Sequence, residues 1–224
     1  TFIYFCRLIR VTMMLPTHVL AGMLLAAPLL YLAPDLATPG LVAGFAGGLF
    51  PDLDMYVGHR KTLHFPVYYS ALAVPASLAA LLAPSVVTAA VAFLLLGAAL
   101  HSVADVFGGG LELRPWEGTS DRAVYSHHHD RWIPPRRVVG YDGSLGDLAL
   151  SVGLAVPLVL LVDGALQTLV VAAVAVAVAY ALLRRRLADL AAVVFPKLPD
   201  VFGPYLPDRY DDGEESASPP PADR

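Results

Sequence analysis

The sequence predicts an all-α fold, a polytopic membrane helical bundle of about six spans with a metal site at its cytoplasmic edge. Three observations carry that expectation. Of the 224 residues, 57% are hydrophobic and 15% are charged, a balance that suits a bilayer better than water. Nearly charge-free stretches recur along the chain at lengths close to the roughly 20 apolar residues that a spanning helix needs. The Lys and Arg residues gather in those connecting segments that would share one side of the membrane.

Residues 1–12 form an N-terminal extension carrying Arg7 and Arg10, with Met13 or Met14 as the expected initiator. The apolar run behind it is longer than a signal-peptide core and contains Thr17 and His18, so it reads as a first span, Met13 to Pro34, and not as a cleaved leader. Leu36 to Pro51 makes a second, short span. Phe65 to Leu100 is too long for one span, and Pro84 is expected to break it into two. A loop over residues 107–147 follows, with turns at Pro134-Pro135 and Asp142-Gly143. Leu148 to Val162 and Gly164 to Leu183 complete the set, the former short enough to be tilted or partial. The helical domain so defined covers residues 13–186. Residues 187–224 form a tail that reads as disordered from about residue 208, where Pro, Asp, Glu and Ser dominate.

Basic residues near span ends mark the cytoplasmic side. Arg7 and Arg10, His59-Arg60-Lys61, the arginines from Arg114 to Arg137, and Arg184 to Arg186 then all face the cytoplasm, whereas the opposite connections near Pro34 to Gly40, Pro84 and Asp163 hold no Lys or Arg. The expected location is the cytoplasmic membrane with both termini inside. The formal net charge of -4 owes much to the acidic tail and says little about partners. No nucleic-acid partner is indicated. Cys6 is the single cysteine, so an internal disulfide and a thiolate cluster are excluded and any metal must take nitrogen and oxygen ligands.

The same topology collects the His and Asp residues of the spans at one edge. In His101-Ser102-Val103-Ala104-Asp105 an imidazole and a carboxylate four residues apart share a helical face. A pair that only satisfies itself is the alternative, but ionisable groups inside a span are costly and point to function. Phe50-Pro51-Asp52-Leu53-Asp54 closes the second span; one Asp would serve as a helix cap, and two at this spacing repel unless a cation lies between them. His59-Arg60-Lys61-Thr62-Leu63-His64 offers two further ligands beside two cations, and His18 is a lone intramembrane histidine. In His127-His128-His129 one or two members are candidate ligands, represented by His128, with the choice among them left open. Gly108-Gly109-Gly110 follows a helix and lacks the Lys-Ser/Thr of a phosphate loop, so it reads as a helix stop. No G-x-S-x-G or H-E-x-x-H occurs.

Taken together, His18, the D-x-D at Asp52 and Asp54, the H-R-x-x-x-H from His59 to His64 and the H-x-x-x-D from His101 to Asp105 resemble the YdjM family of membrane-bound metal-dependent hydrolases, over approximately Pro16 to Trp116. Their order is also similar to that of the zinc-dependent phospholipase C and P1 nuclease superfamily. That resemblance implies one metal held by His64, His101, Asp105 and one of Asp52 or Asp54, with Asp105 bridging to a second ion on His18. The superfamily's downstream His and H-x-x-x-E have no counterpart here, where the loop offers His127 to His129, Asp130, Asp142 and Asp147 at other spacings.

The expectation is therefore a membrane-bound hydrolase of a phosphoester, such as a phospholipid or lipid-linked phosphate, in contact with the lipid bilayer. The cofactor is one to three divalent ions, zinc first, held among His18, Asp52, Asp54, His59, His64, His101, Asp105 and His128. Asp52 or Asp54 would be the general base, and Arg60 and Lys61 would bind the phosphate. The alternative is a transporter of metal ions or small solutes. Transporter sites sit near the midplane between repeats, whereas these residues cluster at one edge and no repeat is visible.

Overall fold

Proline placement explains most of the helix boundaries. The computed structural model describes residues 13–55, 57–194 and 197. Pro16 starts α1 (Leu15–Ala26) in its first turn, where a missing N–H costs nothing. Pro28 interrupts that helix, and α2 (Leu29–Leu32) continues it. Pro34 opens α3 (Pro34–Leu49), which tightens into a 3-10 turn at Phe50–Asp54. Pro66 opens α4 (Pro66–Leu82). The expected break at Pro84 follows, and Ser85 and Thr88 form a reciprocal capping box that launches α5 (Val86–Ala104). A 3-10 turn at Asp105–Phe107 ends it before the glycines. Helices α6 (Leu145–Leu161) and α7 (Gly164–Val194) close the chain.

The chain is mostly helical, and a helix occupies each apolar stretch. Leu15–Leu32, Val86–Phe107 and Gly164–Val194 are long and apolar enough to cross a membrane, while α4 and α6 are shorter apolar helices. Two expectations need correction. The connecting loop is not wholly irregular, because β1 (Val124–Ser126) and β2 (Arg131–Ile133) pair antiparallel with Tyr125 opposite Trp132, and the Tyr125 hydroxyl donates to Asp130 at the turn. The last helix does not stop at the arginines but runs on to Val194. Arg184 is buried there, with Nε donating to Asp142 at 2.9 Å, an η nitrogen donating to the Leu113 carbonyl and the guanidinium over the Trp116 ring. The extension at residues 1–12 and the tail from residue 208 lie outside the described residues.

Helices α1, α3 and α5 touch along their backbones. A Cβ on Gly44 would collide with the Gly22 carbonyl oxygen, and one on Gly47 with that of Leu94. Such contact between small residues is how helices associate where no hydrophobic force separates lipid from side chain. Leu20, Met23, Leu41 and Leu158 are fully buried in the core around this junction. Helix α6 is fastened to α1 by polar groups: Asp147 accepts from the Met14 N–H at 2.6 Å and from the Thr17 hydroxyl at 2.5 Å, and Thr17 also meets Ser151 at 2.6 Å. Thr17 is thus a structural tie one residue from His18.

Candidate metal centre

Backbone contact between α1, α3 and α5 brings His18 and His101 together, their rings stacked with centroids 3.8 Å apart. The 3-10 turn after α3 delivers Asp52, the segment before α4 delivers His64, and the last turn of α5 delivers His101 and Asp105. His64 Nε2 lies 3.2 Å from His101 Nε2, 3.2 Å from Asp105 Oδ2 and 3.6 Å from Asp52 Oδ1. His101 Nε2 lies 3.3 Å from Asp52 Oδ1 and 3.6 Å from Asp105 Oδ2. Four ligand atoms at about 2.0–2.1 Å from a common tetrahedral ion are separated by about 3.3 Å. The five separations given above, each of which involves an imidazole, scatter around that value.

Hydrogen bonding from behind fixes which nitrogens face inward. His101 Nδ1 lies 2.6 Å from the Gly48 carbonyl oxygen and must donate to it. His64 Nδ1 is 2.9 Å from Asp54 Oδ2. With neutral rings both Nε2 atoms point lone pairs at two carboxylate oxygens, an arrangement that suits a cation or a shared proton among them. Asp105 Oδ2 is buried with no hydrogen-bond partner among the described residues. Asp52, His64 and His101 bring one ligand atom each close enough together to hold a metal ion.

Without an ion a proton does this work. Burial disfavours a charged His64, but the carboxylates of Asp105 and Asp54 beside it outweigh that and raise the imidazole to about 9. Burial likewise opposes a charged Asp52, yet His101 holds its carboxyl below the usual range.

A second group, His18, His101 and Asp105, shares His101 with the first. His18 Nε2 is 3.3 Å from Asp105 Oδ1 and has no hydrogen-bond partner among the described residues. Arg60 reaches the same oxygen at 3.3 Å, which places a fixed positive charge where a second ion would bind.

The remaining expected residues stand elsewhere. Asp54 is buried and faces no open space; its oxygens serve His59 Nδ1 at 3.1 Å, His64, and the backbone N–H groups of Arg60 and Leu63. It belongs to neither candidate metal group and stands behind the imidazoles of His59 and His64. His59 belongs to neither candidate group; it lies 4.0 Å from Asp52 and lines the adjoining cavity. Arg60 is buried with its guanidinium on Asp105 and on the carbonyls of Gly109 and Ala123, and it lines the adjoining cavity. Lys61 is exposed, with its ammonium 4.6 Å from the Tyr125 ring centroid. His128 is exposed in the hairpin turn against Tyr68 and His129, outside the cluster.

Sequence reasoning missed three contributors. The Gly48 carbonyl is a backbone group with no side-chain signature. Asp147 looked like one loop acid among several. Glu112 is buried, both its oxygens lack hydrogen-bond partners among the described residues, and burial pushes its carboxyl up. It lines the same cavity as Asp52 and Asp105, and its place in Gly110-Leu111-Glu112 directly after the helix stop was the available signal.

Comparison with known proteins finds no match, whether to a family model, a curated protein or a solved structure.

The supporting role of Asp54 is testable. Loss of a partner behind a ligating histidine typically lowers metal affinity roughly 10- to 100-fold. Asp54→Asn should weaken zinc binding in that range, measured by competition with a chromophoric chelator. Unchanged affinity would remove Asp54 from the centre.

Proposed function

We propose that this protein is a membrane-embedded, metal-dependent hydrolase of phosphoesters carried on lipid, with the reaction at the water-facing end of the bundle. The observation that carries the reading is the buried cluster in which Asp52 Oδ1 and Asp105 Oδ2 each lie 3.2 to 3.6 Å from His64 Nε2 and His101 Nε2, beside a cavity of about 450 Å³. The resemblance of the ligand order to the YdjM family points the same way. An ion in that set supplies Lewis-acid activation of water and of a phosphoryl oxygen at neutral pH, with zinc the first choice for these ligands.

The chain's own groups complete the chemistry. Arg60 offsets the charge of Asp105, leaving the centre less repulsive to an anionic ester. His59 lines the cavity with Nδ1 on Asp54. The general base is Asp52 or Asp54, whichever carboxylate an ion would leave less fully coordinated; Asp52 is the one that lines the cavity.

Protein purified without chelator or His-tag, after zinc supplementation, should retain at least one equivalent of metal and hydrolyse members of a phospholipid and phosphodiester panel. Metal uptake displaces the His64 proton and should strengthen as pH rises toward about 9. Absence of metal would overturn the reading. Metal without hydrolysis of any phosphoester would overturn the enzyme assignment.

The proposed topology has six spans with the loop and both termini on the cytoplasmic face, supported by the one-sided distribution of Lys and Arg. Asp121 is exposed in the loop. In a Cys6→Ser background, a cysteine replacing Asp121 should resist an impermeant maleimide added outside intact cells. Labelling from outside would invert the assignment.

A further inference from the structure

One cavity runs from the metal centre into the apolar part of the bundle, and its two ends differ in chemistry. At one end stand Asp52, His59, Arg60, Asp105 and Glu112; at the other, Val19 of α1, Phe45 and Leu49 of α3 and an apolar face of α7. The α7 residues on the cavity are Leu169, Ala172, Ala173, Val176, Tyr180 and Arg184, a spacing that keeps them on one helical face. Along it the first four are apolar and the last two polar. From Leu169 to Arg184 the face climbs about 22 Å at the helical rise.

Small side chains on a membrane helix ordinarily let a neighbouring helix close in, as the glycines of α1, α3 and α5 do here. Ala172 does the reverse and borders open space, while Ala173 beside it also packs into the core. Helix α7 is anchored at its polar end, where Arg184 and Tyr180 are bound to Asp142, and by its packing on α6 and α1. The gap is thus framed by fixed elements, and its polarity runs from charged to apolar over the length of an amphiphile.

Resting on the hydrolase reading, we propose that this cavity holds the hydrocarbon chain of the phosphate-bearing substrate. The phosphate lies at the metal centre and the chain runs between α1, α3 and α7 toward Leu169. The substrate class is then a long-chain phosphoamphiphile, taken with its chain inside the protein and not merely presented from the bilayer.

The test uses the full chain in nanodiscs and a dodecyl phosphate with a photoreactive diazirine at the chain end. Peptide mapping should find label on Val19, Phe45, Leu169 and Ala172, displaced by excess dodecyl phosphate and not by glycerol phosphate. Ala172→Trp introduces bulk from an exposed position and should cut that labelling about tenfold, the effect of roughly 1.4 kcal/mol of lost binding. Val176→Trp should act alike, whereas Val178→Trp, on the same helix but off the cavity, should leave it unchanged. Retained metal in each variant shows that the fold persists.

Label spread over outward residues such as Val171 and Leu182, or insensitive to both cavity variants, would overturn the chain site. Cavity labelling needs no turnover, so the two readings fail separately. Cavity label without hydrolysis of any phosphoester supports the chain site and removes the enzyme; hydrolysis with no cavity label does the opposite.

Discussion

Asp105→Asn should strip the protein of metal and weaken its fold in a single step. The carboxylate is shared: Oδ2 faces His64 and His101, and Oδ1 faces Arg60 and His18. The Asn side chain preserves volume but removes the charge that both sides need. On the inner side the centre loses a ligand and keeps an excess of nitrogen lone pairs. On the outer side Arg60, with only 6% of its side chain exposed, is left as a buried cation without its carboxylate. Breaking such a pair from one side costs about 3 to 5 kcal/mol. Metal content by elemental analysis and thermal stability in detergent should therefore both fall, and activity per folded molecule with them. His101→Ala should mimic the loss of metal without the penalty at Arg60, and the double variant should lose little further activity, because groups acting as one unit are not additive. A stable Asp105→Asn protein with normal metal content would remove Asp105 from the centre.

Gly48→Ala should be nearly as damaging although it adds a single methyl group. A Cβ there would collide with the His18 carbonyl oxygen, and its other near neighbours, the His18 carbonyl carbon and the Val19 Cα at 2.8 Å, are backbone atoms as well. No side chain can turn aside, so α1 and α3 must separate. Overpacking of a tight core costs about 1 to 3 kcal/mol, and the rigid backbone puts this site at the upper end. The displacement also moves the carbonyl that fixes the His101 tautomer, so metal affinity should drop together with stability. Ala98, buried on α5 but clear of the ligands, provides the contrast: Ala98→Gly should lower stability modestly and leave metal affinity unchanged. A Gly48→Ala protein with native stability and affinity would show that the helices are looser than this contact requires.

Much of this was legible in the sequence because it depends on composition and spacing. Apolar stretches and prolines set the helices, and the break at Pro84 followed from the length of the run around it. The i, i+4 spacing placed His101 and Asp105 on one face, and the D-x-D, H-R-x-x-x-H and H-x-x-x-D elements together with His18 named the His and Asp side chains that now face one another. What spacing leaves open is direction. Asp52 and Asp54 alternate along a 3-10 turn, so one faces inward to the imidazoles and the other turns behind them. Arg60, at a positive φ of 61°, is bent under the centre, while Lys61 next to it points away. The order of residues does not distinguish those fates. His128 could not be placed because the hairpin carrying it forms only when Val124–Ser126 pairs with Arg131–Ile133, a contact with no helical periodicity to announce it.

The ligand set also has a position in time. His18, Asp52, His64, His101 and Asp105 all precede residue 106, while α6 and α7 come last in the chain. A chain emerging N-terminus first at about 5–20 residues per second can close the centre on an ion several seconds before the wall that completes the cavity exists. On the proposed reading, metal acquisition and completion of the cavity would be separable stages of biogenesis. A nascent chain lacking α7 would be a loaded centre still open on the side where the finished protein is walled.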